Sequence, residues 1–198
     1  MDILIAVPTF ENISPETFKS IYDLEKIPGG NFRFEFVKGY DCARARNKIA
    51  KLALDINCDY VLMVDSDIVL PSDTIKNLIE FGPDISVGYY SQKNDSGMSE
   101  VFNFNHEDYT SENRYSISDI LSLNGERIPV MGCGLGCALI KTDIFKSLCY
   151  PYFHYVNYAN GNLLSEDLYF CTQARNKSYA IILDSRVRCM HIGRKVYQ

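Results

Sequence analysis

The sequence lacks any segment that would place the protein in a membrane or in the secretory pathway. Among its 198 residues, no apolar stretch approaches the roughly 20 residues that a membrane-spanning helix needs. The apolar run at residues 3–7 has the length of a strand and is followed by Pro8, which is unlike a signal peptide. We therefore expect a cytoplasmic protein without a transmembrane segment.

The cysteines lack both the spacing of a zinc module and the even number of a disulfide framework. No pair has the CxxC spacing of a structural zinc site, and the total of seven is odd. They stand at Cys42, Cys58, Cys133, Cys137, Cys149, Cys171 and Cys189. We expect reduced thiols that are mostly buried.

The chain also lacks an excess of positive charge. Its net charge is −5 at pH 7, so we do not expect general charge attraction to nucleic acid or to an anionic membrane. No internal repeat, P-loop or nucleophilic-serine motif is present. Hydrophobic residues at 46% and charged residues at 23% are typical of a soluble globular protein, and the length fits one domain.

What the chain does contain is an alternation of strands and helices from its start to about residue 90. Apolar patterning predicts strands at residues 3–7, 32–37, 60–64 and 84–90. Capping residues and amphipathic patterns predict helices between them, at residues 14–26, 41–55 and 72–80. This order predicts a single α/β domain with a mostly parallel central sheet flanked by helices.

The second half of the chain is less regular. Residues 92–98 are polar and predict a mobile loop, whereas residues 100–128 give no clear pattern. Helices are predicted to begin at Thr142-Asp143 and at Ser165, the second running to about residue 176. Short strands are predicted at residues 181–183 and 187–191.

The segment Asp65-Ser66-Asp67 directly follows the apolar strand at residues 60–64. In an open α/β sheet, ligands bind at the carboxyl ends of the strands, so both carboxylates should lie at that edge. Two like charges there require a cation, and a hard divalent ion that carries a diphosphate fits best. The alternative interpretation is that both aspartates cap a turn.

Arg46 lies at the border of the apolar face of the second predicted helix. A guanidinium at that border needs an anion, which could be a carboxylate or a phosphate. Alternatively, the side chain extends along the edge of the core and reaches water.

Three further patterns allow both a functional and a structural interpretation. Glycines alternate over residues 132–136, which permits close approach of the backbone to a ligand or to another strand. The tyrosines of residues 150–158 suit contact with a sugar or a base, and equally suit packing across a sheet. Glu166 and Asp167 follow the N-cap Ser165, where acidic side chains also stabilise a helix dipole.

Six pieces of the sequence, taken together, resemble the nucleotide-sugar glycosyltransferases of the GT-A fold. The resemblance is to compact, family-2-like members of the bacterial or phage type, which have a single Rossmann-like domain. The pieces are Val7-Pro8-Thr9-Phe10, Ala45-Arg46-Asn47, Asp65-Ser66-Asp67, residues 132–136, Ser165-Glu166-Asp167-Leu168 and Cys189-Met190-His191. The resemblance implies a nucleotide-binding half at about residues 1–90 and an acceptor and catalytic half at about residues 91–198.

The resemblance also implies a role for each matching residue. Asp65, Asp67 and His191 would bind Mn²⁺ or Mg²⁺ against the donor's diphosphate. The positions implied to contact the nucleotide sugar are Pro8, Thr9, Glu11, Arg46, Asp65 and Ser66. Asp167 would remove the proton of the acceptor hydroxyl in an inverting transfer, and Glu166 would support it or bind the acceptor.

One part of the family pattern is missing. After the second strand, members typically carry a pair of aspartates that reads the base, whereas here Asp41 is the only acid in that region. A UDP-sugar is the favoured donor, but GDP-sugars remain open. The acceptor could be a glycan, a lipid, a protein or a modified nucleobase, and a partner protein could present it.

Two other functions are compatible with the sequence. Phosphoryl-transfer enzymes of the haloacid-dehalogenase type also carry Asp-x-Asp after a strand, although on their first strand rather than the third. A non-catalytic nucleotide-sugar binder, acting as an accessory protein, would keep the same fold.

Overall fold

The structure is a computed structural model that describes residues 1–104, 109–159, 161–193 and 196–197. Its strands are β1 (Asp2–Thr9), β2 (Asn31–Lys38), β3 (Tyr60–Val64), β4 (Ile68–Val69), β5 (Ile85–Tyr89), β6 (Met98–Asn103), β7 (Arg114–Ser116), β8 (Arg127–Cys133), β9 (Cys137–Lys141), β10 (Val156–Asn157), β11 (Leu163–Leu164), β12 (Ile181–Arg188), β13 (Met190–Ile192) and β14 (Val196–Tyr197). Its α-helices are α1 (Pro15–Tyr22), α2 (Cys42–Asp55), α3 (Thr74–Ile79), α4 (Ile117–Ser122), α5 (Ile144–Ser147) and α6 (Glu166–Asn176).

Nine of these strands form one sheet in the order β2-β1-β3-β9-β5-β12-β8-β6-β7. The α/β class is therefore confirmed, but the prediction of a mostly parallel sheet is wrong. Parallel pairing joins β1 to β2, β1 to β3 and β5 to β12, whereas the other five pairings are antiparallel. The reason is that β9 enters between β3 and β5 in the opposite direction, so the strands predicted to be neighbours are separated.

Three helices begin where their capping residues predict, whereas α3 and α5 begin at Thr74 and Ile144 without a side-chain cap. The Ser14, Asp41 and Ser165 side chains accept hydrogen bonds from the backbone of the first turns of α1, α2 and α6. Helix α1 ends at Tyr22, short of the predicted residue 26.

Two apolar cores lie on the opposite faces of the sheet. Helices α2 and α6 pack on one face through small and aromatic side chains such as Ala50 and Phe170. Helices α1 and α3 cover the other face, where Ile21 and Leu78 belong to one buried cluster with apolar side chains of β1, β3 and β9. Strands β3 and β5 are buried at every residue because both of their faces are covered.

All seven cysteines are free, and all but Cys42 and Cys149 are buried, which confirms the prediction that most of the thiols are buried. Among the residues that the structure describes, no helix has both the length and the apolar character needed to cross a membrane.

A small second sheet positions the end of the chain beside the carboxyl end of β3. Its strands follow the order β14-β13-β4, and His191 of β13 lies opposite Ile68 of β4. The backbone N–H of Ile192 donates a hydrogen bond of 2.8 Å to the carbonyl of Asp67. As a result, His191 lies next to the Asp65-Ser66-Asp67 turn, although more than a hundred residues separate them in sequence.

Candidate active site

The Asp65-Ser66-Asp67 segment forms a tight turn at the carboxyl end of β3. The Asp65 N–H donates to the carbonyl of Gly136 at 3.1 Å, and the Ile68 N–H donates to the carbonyl of Asp65 at 3.1 Å. The side chains of Asp65 and Asp67 are 31% and 34% exposed, so both are accessible at the sheet edge. Their carboxylates point to different partners.

Arg46 is the centre of the first group of partners. Its side chain is 1% exposed, and its Nη2 lies 2.8 Å from Asp65 Oδ1. Its Nη1 lies 2.8 Å from Glu166 Oε1, and its Nε lies 3.4 Å from Asp167 Oδ1. The anion that the sequence demands for Arg46 is therefore a set of three carboxylates of the same chain. The alternative of a side chain that reaches water is excluded.

In this group one guanidinium faces three carboxylates. The excess of negative charge favours a proton on one of the carboxylates. Burial is the main cause that raises the pKa of Asp167 to about 7; Arg46 opposes this shift, and Glu166 and Asp65 add to it. Burial likewise raises the pKa of Asp65 above its usual value. The Leu135 N–H donates to Asp167 Oδ2 at 3.3 Å, while Oδ1 has no hydrogen-bond donor within the described residues. Asp167 can therefore exchange a proton near neutral pH.

Asp67 belongs to a second group with His191 and Lys93. The Lys93 ammonium pairs with Asp67 Oδ2, and His191 Nε2 lies 3.6 Å from Asp67 Oδ1. A backbone carbonyl can only accept, so the 2.8 Å contact of His191 Nδ1 with the Ser91 carbonyl assigns the proton to Nδ1. Burial raises the pKa of Asp67, but hydrogen bonds and charge from Lys93 and from the protonated form of His191 outweigh it, and the net shift is downward.

This second group fits a divalent cation. With Nδ1 as the donor, a neutral His191 presents the lone pair of Nε2 towards the Asp67 carboxylate, so two acceptors face each other. Within the described part of the chain, no three His, Cys, Asp or Glu side chains form a metal-binding group, and Asp65 pairs with Arg46. Two protein ligands suffice for an ion that takes phosphate and water oxygens for the rest of its coordination sphere.

The predicted nucleotide-contacting residues of the first loop lie at the same sheet edge. Pro8 and Thr9 end β1, and Thr9 Oγ1 donates to the carbonyl of Asn12 at 2.6 Å within its own loop. Glu11 is exposed. The carbonyl of Ser66 accepts a 2.9 Å hydrogen bond from the Ser14 N–H, which ties this loop to the Asp65-Ser66-Asp67 turn.

The glycines between β8 and β9 allow the backbone to approach Asp65 and Tyr90. A Cβ atom on Gly136 would lie 2.9 Å from Asp65 Oδ2 and 2.8 Å from the Tyr90 hydroxyl oxygen. The Gly136 N–H donates to that hydroxyl oxygen at 3.0 Å. The Tyr90 ring also packs edge-on against His191, with ring centroids 5.2 Å apart. Tyr90 thereby connects the two groups of charged side chains.

The aromatic segment at residues 150–158 divides into a buried and an exposed part. Phe153 is buried and stacks on Phe170 with centroids 4.9 Å apart, while Asn47 Oδ1 accepts from the Tyr152 N–H at 2.8 Å. The exposed part borders a cleft of about 510 Å³, lined among others by Tyr40, Arg44, Lys48, Tyr150, His154 and Tyr155. The pKa of Tyr155 is raised, mainly by burial and next by the negative charge of Glu166. Tyr155 is therefore close to Glu166, and the cleft adjoins the carboxylates around Arg46.

Several residues of the site escaped sequence reasoning. Lys93 and Ser91 lie in or beside the segment predicted only as a loop. Asn47 and Tyr90 lie in a predicted helix and a predicted strand, but neither side chain was given a role. The position of Lys93 in the sequence could have indicated its role. Lys93 follows the carboxyl end of β5, just as Asp67 follows the carboxyl end of β3, so both lie at the same edge of the sheet.

Two of the known structures that are similar to this chain serve to describe its fold, and both align with nearly all of it. One is A197 from STIV, with 18% identity and a TM-score of 0.66 over 100% of this chain and 93% of that chain. The other is GalNAc-T7 with UDP, GalNAc and Mn²⁺, with 11% identity and a TM-score of 0.61 over 96% of this chain. This chain spans 44% of the length of GalNAc-T7.

No protein-family model and no curated protein sequence matches the chain. At identities of 18% and 11%, a structural likeness establishes architecture, while chemistry has to be argued from the side chains at the site. The chain has a GT-A-like α/β fold with a mixed central sheet.

Proposed function

We propose that the protein is a metal-dependent glycosyltransferase that moves a sugar from a nucleoside-diphosphate sugar, preferably a UDP-sugar, to an acceptor hydroxyl. Asp67 and His191 are the residues that would hold Mn²⁺ or Mg²⁺, since their facing acceptor atoms need a cation between them. When bound, the ion would stabilise the negative charge of the departing diphosphate. Asp65 lies next to this site and forms an ion pair with Arg46. We therefore assign Asp65 to contact with the donor rather than with the ion.

Asp167 is assigned as the general base of an inverting transfer. A base works best when its pKa lies near the working pH, and burial raises the pKa of Asp167 to about 7. The Leu135 N–H holds one carboxylate oxygen and Arg46 lies beside the other, so the orientation of the group is fixed. Glu166 is bonded to Arg46 and adjoins Tyr155 in the cleft, which makes it a support for the acceptor.

The observation that carries the proposal is the meeting of two different groups at one sheet edge. A pair suited to a cation, Asp67 and His191, lies on one side of Tyr90 and Asp65. A buried carboxylate that can take up a proton near neutrality, Asp167, lies on the other side, connected through Arg46. Cleavage of a sugar–diphosphate bond with transfer to a hydroxyl requires both charge stabilisation and proton removal. The likeness of the fold to GalNAc-T7 with UDP, GalNAc and Mn²⁺ supports the same donor class.

A thermal-shift panel tests the donor site. UDP, GDP, CDP and ADP, each with and without Mn²⁺, are added to the wild type, to Asp67→Ala and to Asp143→Ala. A ligand that binds only the folded state raises the Tm, so one nucleotide together with Mn²⁺ should stabilise the wild type and Asp143→Ala but not Asp67→Ala. Asp143 is the matched control, because it is an exposed aspartate whose ion pair with Lys146 lies at the N-terminal side of β3.

Equal stabilisation of the wild type and Asp67→Ala would contradict the assigned metal site. Nucleotide and Mn²⁺ binding without turnover of any nucleotide sugar would favour the non-catalytic binder instead. A phosphorylated aspartate recovered after incubation with a phosphate donor would favour phosphoryl transfer.

A further inference from the structure

Strand β2 forms a long free edge of the nine-stranded sheet. It is eight residues long, stands at one end of the strand order, and pairs with β1 alone among the described residues. Its outer edge therefore presents unpaired backbone N–H and C=O groups, which can pair with another strand. No proline or bulge interrupts this strand, so nothing in its backbone blocks such pairing.

The two faces of β2 differ in chemistry. One face carries Phe32, Phe34 and Phe36, and the latter two are 39% and 37% exposed. The Phe34 ring contacts Phe36 with centroids 4.5 Å apart and Phe18 of α1 with centroids 6.5 Å apart. Tyr22 of α1 is 81% exposed and lines a shallow pocket together with Phe32, so it adds to this aromatic surface along the free edge.

The opposite face of β2 carries one residue of each charge. Arg33 and Glu35 are two residues apart and both exposed. Within the described residues, neither side chain has an ion pair or hydrogen bond. An edge strand with one positive and one negative side chain two residues apart can pair with an antiparallel copy of itself so that opposite charges meet.

We propose that β2 is a homodimer interface, in which two copies pair antiparallel about a two-fold axis at Phe34. In this register Arg33 of each copy lies opposite Glu35 of the other, so two opposite-charge pairs form on one face. On the other face, Phe34 lies opposite Phe34, and Phe32 lies opposite Phe36 twice, which makes a continuous aromatic row. The nine-stranded sheets of the two copies join into one.

The charges select this register against its neighbours. In an antiparallel pair, the numbers of two residues that lie opposite each other always have the same sum. Because side chains alternate along a strand, the aromatic faces of the two copies stay on the same side only if another register changes this sum by two. One such shift places Arg33 opposite Arg33, and the opposite shift places Glu35 opposite Glu35. Like charges directly opposite each other are unfavourable, so the Phe34-centred register is preferred.

The two-fold axis stands perpendicular to the joined sheet, which places both α1 helices on the aromatic face. Phe18 and Tyr22 of each copy then lie beside the aromatic row, and their exposed surface can become buried. The partner that fits this edge is thus a second copy of this chain. The proposal concerns assembly and does not depend on the proposed transferase activity.

Charge-swap variants and sedimentation equilibrium test the register. Arg33→Glu creates two Glu–Glu contacts and Glu35→Arg creates two Arg–Arg contacts, so each variant should raise the dimer Kd by about tenfold or more. The double variant Arg33→Glu/Glu35→Arg restores both pairs in exchanged positions and should recover dimerisation. An equimolar mixture of the two single variants should form the heterodimer, since every cross-strand contact is then between opposite charges.

Lys146→Glu is the control, because it makes the same change of charge on an exposed side chain of α5 and should leave the dimer Kd unchanged. Thermal melting of each variant separates loss of assembly from loss of folding, and the mixture provides a gain of assembly that unfolding cannot imitate. A wild type that stays monomeric up to hundreds of micromolar overturns the proposal. A dimer that is insensitive to both single swaps also overturns it.

Discussion

Arg46 is the residue on which the site depends at the smallest scale. It is 1% exposed and contacts Asp65, Glu166 and Asp167, which come from the carboxyl end of β3 and the first turn of α6. A buried cation among carboxylates contributes little net stability, but removal of the cation leaves uncompensated negative charge in the interior. The same contacts hold the carboxylates of Asp65 and Asp167 in a fixed relation to each other.

We expect Arg46→Met to lower the free energy of unfolding by about 3–5 kcal/mol at pH 8. The loss should be smaller at pH 5. Asp167 has its pKa raised from 3.8 to about 7 in the folded state, and Arg46 counteracts that rise. An aspartate with a raised pKa binds its proton more tightly when folded, so the variant loses stability as pH rises between these values.

Urea denaturation at both pH values measures this effect. Arg44→Met on the same helix is the control, because the Arg44 side chain is 78% exposed and forms a surface ion pair with Asp41. Its effect should stay within about 0.5 kcal/mol. Equal losses for the two variants would contradict the assigned role of the buried group.

The proposed base makes a prediction for the pH dependence of transfer. The pKa of Asp167 is raised to about 7, mainly by burial, and a general base acts in its deprotonated form. The rate should therefore rise with pH through a midpoint near 7, and Asp167→Asn should lose transfer while donor binding is retained. A fully active Asp167→Asn variant would remove this residue from the mechanism.

Lys93 makes a prediction for metal affinity. Its ammonium pairs with Asp67, which is a proposed ligand of the ion, so the lysine and the ion compete for one carboxylate. Lys93→Gln should bind Mn²⁺ about two- to fivefold more tightly, as expected for loss of a partly exposed ion pair. Isothermal titration with Mn²⁺ alone measures this, and Lys19→Gln, which breaks the Lys19–Asp23 pair on α1, is the control. Weaker Mn²⁺ binding in Lys93→Gln would contradict the competition.

At this scale the sequence predicts which residues need partners but not which partners they have. The position of Arg46 on its helix requires an anion, and the structure supplies carboxylates. Glu166, however, lies 120 positions away in sequence, and no local pattern connects the two. The pairing of Lys93 with Asp67 likewise depends on how β5 and β3 are arranged in the sheet.

At the scale of elements, the turn between β8 and β9 has to be made of small residues. Its glycines lie against Tyr90 and Glu100, and a Cβ atom on Gly134 would lie 3.2 Å from the Glu100 Cβ and 3.3 Å from the Tyr90 Cζ. The Tyr90 hydroxyl oxygen is closer still to that position. A side chain there must displace Tyr90, which packs against His191.

Gly134→Ala should therefore lower the free energy of unfolding by about 1–3 kcal/mol through overpacking. Tyr90→Phe removes the nearest atom, so the cost of Gly134→Ala should be smaller in the Tyr90→Phe background. Thermal or chemical denaturation of the four proteins of this double-mutant cycle gives the coupling. Strict additivity of the two changes would show that the hydroxyl does not limit the space.

Local patterns predict most element boundaries where a cap is written in the sequence. Helix α2 begins after Asp41 and ends at Asp55, as expected, and Ser165 begins α6. At the end of α1 the predicted helix is longer than the observed one. Helix α1 ends at Tyr22 because the backbone N–H of Asp23 closes the last turn by donating to the Lys19 and Ile21 carbonyls. The two short strands predicted near the C-terminus differ from β12, which is continuous from Ile181 to Arg188.

At the scale of the whole molecule, the α/β class follows from the alternation of elements, whereas the strand order does not. Three helical crossovers predict parallel neighbours, and β1, β2 and β3 obey this expectation. The place of β9 between β3 and β5 is decided by long-range packing, since its apolar residues 137–140 would suit any interior position. The apolar pattern of a single sequence carries no signal for such a choice.

The sheet should accordingly be most stable in its middle. Strands β3 and β9 pair along their full length, and nearly all of their residues are buried, whereas the β10–β11 hairpin has two short, largely exposed strands. Amide hydrogen exchange followed by mass spectrometry should show the slowest exchange in peptides of β3 and β9 and fast exchange in β10–β11. Equally fast exchange in β3 would contradict this arrangement.

The central place of β9 has a consequence for biosynthesis. The ribosome synthesises β1, β2, β3 and β5 long before residues 137–141. In the folded sheet β9 lies between β3 and β5, so these two strands are not linked until β9 has been made. The early part of the nascent chain therefore emerges with two open strand edges that only a later segment can close. Synthesis of this protein must protect those edges until residues 137–141 have left the ribosome.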